Sequence, residues 1–392
     1  MSAKIGTATD YADLLNVLDT FLTSTGMALT PSFTGTGDGT IDALGGSAGV
    51  AETITVTFTS ATAFGVVGSV SGSLGTGAVG TPFTSTKVNF TVTAGGTAFV
   101  ATDVFTFAVT PPWTSHRRVS GSEMIWQAPG NGGLDEIIVG AAEFHDAGAD
   151  YWNWRLGGFT AYNSGAVFNQ QPGYIGGPSQ SRPSPVFTLW NSSIPYWIIA
   201  NGRRVIVIAK ISTVYVAMHL GFLASYMAPG SFPYPLIVGG NLAFLSTEPA
   251  AGSASWRWSY TGNEMRNFPI PFFSSMSLDS QSTLMLRLPS GSWRGFDVSQ
   301  GETQFGAVWP FGYVDQGGSY DWRPNLDGGY PLLPIVLFDQ IPNVYGELEG
   351  IHATAGFSQA VENTITVDRI QYLVVQNVFR NTKADFFAVR LS

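Results

Sequence analysis

The chain has 392 residues, of which 44% are hydrophobic and only 11% are charged, against a charged share of about 25% in typical soluble proteins. Its net charge is −9 with no basic tract, which excludes nucleic acid as an expected partner. The absence of cysteine excludes a disulfide framework and a cysteine-based zinc site. Abundant glycine, proline and aromatic residues favour a mainly β protein of two or three domains.

A helical pattern occupies residues 9–25. Five apolar residues recur there at spacings of three and four, which places them on one face of a helix. Thr9 is a suitable N-cap and Gly26 a suitable stop. A short helix with one apolar face must dock to be stable, so residues 1–30 are predicted to dock either on their own chain or on a neighbouring subunit. The docking residues are Tyr11, Leu14, Leu15, Leu18 and Leu22.

Residues 31–112 differ in composition from the rest of the chain. Gly, Thr, Ser, Val and Phe dominate, and charged residues are rare. Strict alternation of apolar and polar residues predicts strands at 53–59, 88–92 and 105–109. We therefore predict a small immunoglobulin-like β-sandwich module. The Pro-Pro pair at 111–112 forms a stiff joint after it, because proline fixes φ.

Residues 75–80 match the dinucleotide-binding pattern G-x-G-x-x-G letter for letter. This pattern binds pyrophosphate only where it follows a strand and opens a helix. Thr81-Pro82 follows here, so no helix is expected. We interpret the stretch as a loop and predict no bound cofactor.

Residues 113–392 are predicted to form one larger antiparallel β-sandwich domain. Strand-like runs alternate there with Gly- and Pro-rich turns. The chain is expected to finish in a hairpin, with strands at 370–379 and 386–391 around a turn at 381–383. All eleven tryptophans lie in this domain: Trp113, Trp126, Trp152, Trp154, Trp190, Trp197, Trp256, Trp258, Trp293, Trp309 and Trp322.

The stretch 195–224 is the one around which this domain is organised. The Asn-Gly pair at 201–202 is a strong hairpin signal, because both residues tolerate positive φ. The four β-branched residues 205–208 are typical of a strand covered on both faces. We predict an antiparallel meander at the centre of the β core. A membrane helix is the alternative, but Lys210 and His219 interrupt the run of about 20 apolar residues that it needs.

The histidines show no metal-ligand pattern. They are His116, His145, His219 and His352, and no two have a ligand spacing. His219 lies in an apolar run, and we interpret it as a core or interface residue with satisfied hydrogen bonds. The letters G-x-S-x-G occur at 45–49, but within a Gly-rich connection and not at a strand-to-helix turn, so no nucleophile elbow of a serine hydrolase is predicted.

An acid–aromatic cluster is the strongest candidate for chemistry. Glu143, Asp146 and Asp150 lie close in sequence to Trp152 and Trp154. Paired carboxylates and sugar-stacking aromatic rings are what a glycosidase cleft contains. The two tryptophans are therefore candidate glycan-stacking residues. Neighbouring strand residues face apart, however, and we favour a structural role for the cluster.

A distant acid such as Asp297 or Asp321 could complete a catalytic pair with this cluster. Residues 321–327 also gather several oxygens in a turn, but they lack the EF-hand spacing of calcium loops, so we interpret them as a plain turn. The sequence thus predicts no catalytic residue, no cofactor and no metal.

Six stretches spread along the chain carry a family resemblance: 10–22 (DYADLLNVLDTFL), 64–72 (FGVVGSVSG), 123–130 (EMIWQAPG), 135–140 (DEIIVG), 342–346 (PNVYG) and 363–367 (NTITV). Together they resemble virion structural proteins of tailed bacteriophages, of the kind encoded among tail and baseplate genes. The likeness covers most of the chain, and its motifs are structural. It implies a particle component and brings no functional residues with it.

Two function classes remain open. One is an assembly protein of the tail tip, baseplate or fibre attachment, whose partners are itself, as a symmetric homo-oligomer, and other tail proteins. The other is a receptor-binding or glycan-degrading tail protein, with host surface glycan as its ligand. Residues 1–6 lack the apolar core of a signal peptide. We expect a virion protein that is made in the host cytoplasm, is not secreted and does not insert into a membrane.

Overall fold

The computed structural model describes most of the chain, with gaps. The described residues are 2–24, 27–28, 31–46, 52–130, 137–146, 151–175, 184–212, 214–240, 242–244, 275–276, 281–282, 284–297, 306–309, 329–339, 343–356, 359–368, 370–376 and 386–391. The predicted turns at 321–327 and 381–383 lie outside these ranges, as does Asp150.

The described part of the chain is mainly β, with one α-helix, α1 (Tyr11–Ser24), and a single 3₁₀ turn (Phe168–Gln170). The strands are β1 (Ser2–Ala8), β2 (Met27–Ala28), β3 (Ser32–Thr34), β4 (Thr40–Gly46), β5 (Glu52–Phe58), β6 (Ala63–Gly68), β7 (Gly72–Ala78), β8 (Pro82–Thr84), β9 (Val88–Thr93), β10 (Val104–Thr110), β11 (Thr114–Val119), β12 (Glu123–Ala128), β13 (Ile137–Asp146), β14 (Tyr151–Phe159), β15 (Ser184–Phe187), β16 (Ile194–Ala200), β17 (Arg204–Ile211), β18 (Val214–Phe222), β19 (Ala224–Ser225), β20 (Leu236–Gly239), β21 (Leu242–Phe244), β22 (Ser275–Met276), β23 (Gln281–Ser282), β24 (Leu284–Arg287), β25 (Trp293–Asp297), β26 (Gly306–Trp309), β27 (Leu333–Phe338), β28 (Val344–Thr354), β29 (Thr364–Val367), β30 (Ile370–Gln376) and β31 (Phe386–Arg390).

One sheet of fourteen strands dominates the fold. Its order is β1-β16-β17-β18-β20-β24-β25-β26-β27-β28-β31-β30-β29, with β19 also paired to β28. The β25–β26 pair is parallel, and the other ladders of this sheet are antiparallel. The predicted antiparallel arrangement therefore holds for every ladder of this sheet but one.

The predicted meander at 195–224 is confirmed. β16, β17 and β18 pair in sequence, in antiparallel register. Successive side chains of β17 enter two different cores: Val205 and Val207 lie in the first, and Ile206 and Ile208 in the second. All four are fully buried. A strand with both faces buried has no polar face, which explains its unbroken apolar run.

The two cores lie on opposite faces of this meander. The first contains side chains of α1, of β16–β18 and of a six-stranded sheet ordered β11-β12-β13-β14-β15-β21. The second lies between the two halves of the fourteen-stranded sheet, so that Ile208 on β17 and Leu373 on β30 belong to one cluster. The long sheet thus folds over on itself, as in a β-sandwich.

The helix α1 begins one residue later than the predicted cap. Asp10, not Thr9, is the N-cap, because its Oδ1 accepts the Asp13 N–H at 2.8 Å and its carbonyl accepts the Leu14 N–H. Asp13 in turn accepts the Thr9 N–H at 2.9 Å. A carboxylate outperforms a hydroxyl at this position because it also offsets the positive end of the helix dipole. The predicted stop, Gly26, lies outside the described residues.

The apolar face of α1 packs on its own chain. The five predicted docking residues all join the first core, beside Trp113 and Trp126. A polar tie fixes the helix there: buried Asp19 accepts the Trp126 indole N–H at 2.8 Å and pairs with Arg118 at 2.5 Å. In this fold these side chains are not available to a neighbouring subunit. The docking residues are Tyr11, Leu14, Leu15, Leu18 and Leu22.

Residues 31–112 fold around a third core of their own. Two sheets enclose it: β4-β9-β8, and a second ordered β2-β10-β5-β6-β7 with β3 also on β10. The predicted strands at 53–59, 88–92 and 105–109 are confirmed as β5, β9 and β10. The interpretation of 75–80 as a loop is wrong in part, because most of it is strand β7, with a turn at Gly80 (φ 79°). Glycine-rich runs suit an exposed edge strand as well as a loop, and periodicity cannot separate the two.

Candidate functional site

The acid–aromatic cluster predicted at 143–154 lies across two paired strands. The β13–β14 register places Glu143 opposite Trp154 and His145 opposite Trp152. The His145 and Trp152 rings stack with centroids 3.5 Å apart. Tyr11 of α1 contacts the same Trp152 ring at 4.8 Å, and its hydroxyl donates to Glu143 Oε1 at 2.9 Å. The cluster therefore joins the helix to the sheet.

This use of the cluster leaves little of it for a ligand. Trp154 is fully buried in the first core, so its ring cannot stack on a sugar. Trp152 is half-buried and holds contacts to two other rings. Burial, reinforced by the hydrogen bond to Glu143, raises the pKa of Tyr11 to about 12. The phenol therefore remains a proton donor to Glu143 across the neutral range.

No distance between carboxylates can be given for the other acids of the suggested catalytic pair. Asp146 closes β13 opposite Tyr151, but its side chain lies outside the described residues. The side chain of Asp297 and the whole of Asp321 lie outside them too. His116, another of the four histidines, is hydrogen-bonded to Gln127 at 2.8 Å and stacks on Tyr162.

The sequence analysis missed a buried polar cluster at the β16–β17 turn. Asn201 begins the turn, and its Oδ1 accepts the N–H groups of Arg203 and Arg204 at 2.8 and 3.0 Å. The hairpin predicted at the Asn-Gly pair therefore forms, but Asn201 occupies its first position and caps the backbone with its side chain. The Asn201 carbonyl also accepts the indole N–H of Trp113, at 2.9 Å.

An ion pair connects this turn to the other half of the sheet. Arg204, fully buried on β17, donates from Nε to Glu349 Oε2 on β28 at 3.1 Å. Asn201 Nδ2 lies 3.2 and 3.3 Å from the two oxygens of Glu349. Burial lowers the pKa of Arg204, although Glu349 opposes the shift. Burial acts to raise the pKa of Glu349, but the charge of Arg204 and the two donors outweigh it and lower that pKa.

His219 completes the cluster without a hydrogen bond. It is fully buried on β18 opposite Ile206, and neither ring nitrogen has a partner among the described residues. The prediction of a core histidine is confirmed, but the hydrogen bonds predicted for its ring are not found among the described residues. Burial, reinforced by the charge of Arg204, lowers the pKa of His219 to about 3, with Glu349 opposing. The ring is neutral at neutral pH, since a second buried cation beside Arg204 is unfavourable.

The fourth histidine, His352, lies on β28 and makes an edge-to-face contact with Tyr372 at 5.5 Å. Burial and then the charge of Arg390 lower the pKa of His352 to about 4. Within the part of the chain that the structure describes, no group of three or more His, Asp or Glu side chains could hold a metal ion. The described helices likewise include none that is long and apolar enough to cross a membrane.

The comparisons with known proteins add little to this geometry. No protein-family model matches the sequence, and no curated protein is similar to it. A crystal structure of FlgL from Xanthomonas campestris matches with 21% identity and a TM-score of 0.18, covering 22% of this chain and 30% of the FlgL chain. The chain thus spans less than a third of that structure, and a likeness this weak establishes neither a fold nor a function.

Proposed function

We propose that the protein is a structural subunit of a tailed-bacteriophage particle, at the tail tip, baseplate or a fibre attachment. It acts by assembling with copies of itself and with other tail proteins. The observation that carries the proposal is the internal use of the acid–aromatic cluster. Glu143 and Trp152 contact Tyr11 of α1, so the groups that resemble a cleft in the sequence hold the helix on the sheet.

The proposal extends to the organisation of the chain. Residues 31–112 are an immunoglobulin-like module, supported by their size and by two facing sheets around a separate core. The chain leaves the larger domain after α1 and returns to it at Trp113. These two points are adjacent, because the Trp113 N–H donates to the Leu22 carbonyl at 2.8 Å. An insertion between adjacent points can be removed without parting the elements around it.

Deleting residues 31–112 tests this organisation. Residues 25–30 and Trp113 then connect α1 to β11. We expect the larger domain to fold, with near-ultraviolet circular dichroism from its tryptophans unchanged, since all eleven lie outside the module. Insoluble protein on deletion would show instead that the module shares a core with the rest.

The structural role is tested by particle composition and by self-association. We expect the protein in intact particles at a fixed number of copies, measured by quantitative mass spectrometry. We also expect the purified chain to form a symmetric oligomer at micromolar concentration, measured by multi-angle light scattering. A clean monomer that is missing from intact particles would overturn the proposal.

A receptor-binding role is the second candidate, and one loop favours it. Tyr226 and Tyr234, 56% and 39% exposed, flank the loop between β19 and β20. The Tyr226 hydroxyl donates to Glu347 Oε2 at 2.7 Å, and the Arg287 guanidinium lies 5.6 Å from the Tyr234 ring centroid. Exposed aromatic rings beside charged groups are suited to the faces and hydroxyls of sugars.

The isolated chain can be tested against polysaccharide from candidate hosts. Binding that Tyr226→Ala and Tyr234→Ala abolish would favour the receptor role. New reducing ends that disappear in Glu143→Gln would make the protein a depolymerase and contradict the structural role of Glu143. We expect neither result.

A further inference from the structure

The first strand of the chain is an edge of the fourteen-stranded sheet. β1 pairs with β16 over all seven of its residues, from Ser2 opposite Ala200 to Ala8 opposite Ile194, with no break in register. No strand described in the structure pairs with its other edge. β4 approaches β1 but pairs only with β9, and Ile5 is 60% exposed. A regular, open edge with an exposed aliphatic residue is a template for a further strand.

The other edges in the described part of the chain carry features that discourage such pairing. Short length protects β3, β8, β21 and β29, which have three or four residues each. Bulges interrupt the registers of β4, β7 and β11, at Asp42/Gly45, Val66/Val67 and Ser115/Arg117. Bulges and short strands are the devices by which proteins block edge-to-edge association. β1 is both long and regular, and its single charge is Lys4.

The sequence of β1 is complementary to itself. In an antiparallel pairing of two copies centred on Ile5, residue 5 lies opposite residue 5, Ala3 opposite Thr7, and Lys4 opposite Gly6. The exposed positions 3, 5 and 7 then form an uncharged ladder across the junction. No like charges face each other, because Lys4 lies opposite the uncharged Gly6.

We propose that β1 is the surface through which two copies of this chain associate, pairing antiparallel about a two-fold axis at Ile5 and joining their sheets into one. The inference rests on the proposed assembly function and names its contact. A two-fold pairing centred on Ile5 joins residues 3–7 of the two copies and closes on itself. Pairing of β1 with β29 of another copy would use only four residues and would propagate as an open filament.

Because the chain contains no cysteine, a single introduced cysteine gives the sharpest test by disulfide cross-linking. Residues directly opposite in an antiparallel pair have Cβ atoms about 4.5–5.5 Å apart, close enough for a disulfide after a small adjustment. In Ile5→Cys, mild oxidation with diamide should therefore yield a disulfide-linked dimer as the main product at micromolar concentration. Val167→Cys is the control, since Val167 is similarly exposed (56%) but lies in a loop; it should remain uncross-linked.

A charge variant tests the same contact without a covalent bond. Ile5→Lys places two lysines opposite each other, and we expect the dimer dissociation constant, measured by analytical ultracentrifugation, to rise about tenfold or more. Val167→Lys should leave it unchanged. At a concentration low enough for both proteins to be monomeric, the melting temperature of Ile5→Lys should match that of the parent, because Ile5 is largely exposed in the single chain.

The outcomes separate this proposal from the function on which it rests. If the parent chain associates but Ile5→Cys does not cross-link and Ile5→Lys associates normally, assembly uses another surface and the β1 proposal is wrong. If Ile5→Lys dissociates the oligomer but Ile5→Cys gives no homodimer, β1 pairs with a different edge and the two-fold pairing is overturned. If the parent is monomeric throughout, both the pairing and self-assembly fail.

Discussion

The module at 31–112 and the larger domain bury charge in two different ways. In the module, Asp103 is 2% exposed and accepts backbone N–H groups from Thr36, Gly37 and Val100 at 3.0–3.1 Å. In the larger domain, the fully buried charge of Arg204 is paired with the partly exposed Glu349, a side chain from a distant strand. Asp103 is satisfied by backbone N–H groups, two of them from a segment 66–67 residues away within the module, whereas the Arg204–Glu349 pair forms only once the large sheet has placed both side chains.

The aromatic packing follows the same division. The module core is built from phenylalanines that contact one another, such as Phe58 on Phe99 with ring centroids 4.0 Å apart and Phe83 on Phe90 at 5.0 Å. These rings carry no polar atom. In the larger domain, Trp113 and Trp126 each donate an indole hydrogen bond from a buried position. The module is thus held by apolar ring contacts and by backbone donors to one buried carboxylate, and the larger domain also by polar contacts between side chains.

Removing one member of the long-range pair should have the largest effect. Glu349→Leu leaves the fully buried Arg204 without its anion, and we expect the free energy of unfolding to fall by about 3 kcal/mol or more in urea titrations. The double variant Arg204→Met/Glu349→Leu removes both charges and should recover most of the loss. A double variant as unstable as the single one would mean that the lost packing, not the unpaired charge, sets the effect.

The matching change in the module should be smaller and confined to it. Asp103→Asn replaces a charged acceptor of three backbone hydrogen bonds with a neutral amide, and we expect a loss of about 2 kcal/mol. Proteolysis should then cut within 31–112 first, while tryptophan fluorescence from the larger domain melts as before. Equal destabilisation of both signals would contradict the division between the two regions.

Much of the fold could be predicted because it depends on short-range pattern. Alternation at 53–59 marks a strand, and the β-branched run 205–208 marks a doubly covered one. The spacing of the leucines at 14, 18 and 22 places them on one face, and that face is buried. These features follow from side-chain periodicity in a helix or strand, which a sequence displays directly.

The buried polar cluster could not be predicted, because its partners are far apart in the chain. Arg204 and Glu349 are 145 residues apart, and no local pattern connects them. The Asn-Gly pair at 201–202 signals the turn but not the carboxylate that Asn201 meets. The same limit explains why the sequence suggests Trp154 as a ligand-binding residue. A tryptophan near acids has the composition of a cleft. Only the positions of α1 and of the sheet packed opposite β14 show that this tryptophan belongs to the core.

Acid should weaken the larger domain through the fully buried His219 and the half-buried His352. His219 and His352 have pKa values of about 3 and 4 in the folded chain, below the unfolded value of about 6.5. Each therefore contributes stability above pH 6.5 that is lost as the pH falls towards the folded pKa, because the unfolded state binds the proton first. Between pH 7 and pH 6 we expect a loss of about 1 kcal/mol in urea titrations.

His219→Leu is the control for this pH dependence. It should flatten the slope between pH 7 and pH 6 by about half, leaving the share of His352. Below pH 4.5 the lowered pKa of Glu349 adds a further loss. A slope unchanged in His219→Leu would show that this ring is not the group that takes up the proton.

The smallest expected effect on stability distinguishes a buried hydrogen bond that supports the fold from an exposed one on its surface. Tyr11 and Tyr226 each donate a hydroxyl hydrogen bond to a glutamate, at 2.9 and 2.7 Å. Tyr11 is only 9% exposed, while Tyr226 is 56% exposed. Tyr11→Phe leaves Glu143 short of a donor beside the buried helix, and we expect a loss of about 1 kcal/mol. Tyr226→Phe should change the urea midpoint by less than the error, because water replaces the lost donor at Glu347. If the two variants were equally destabilised, the length of each hydrogen bond would matter more than its burial. The Tyr11–Glu143 contact would then not be what holds α1 in place.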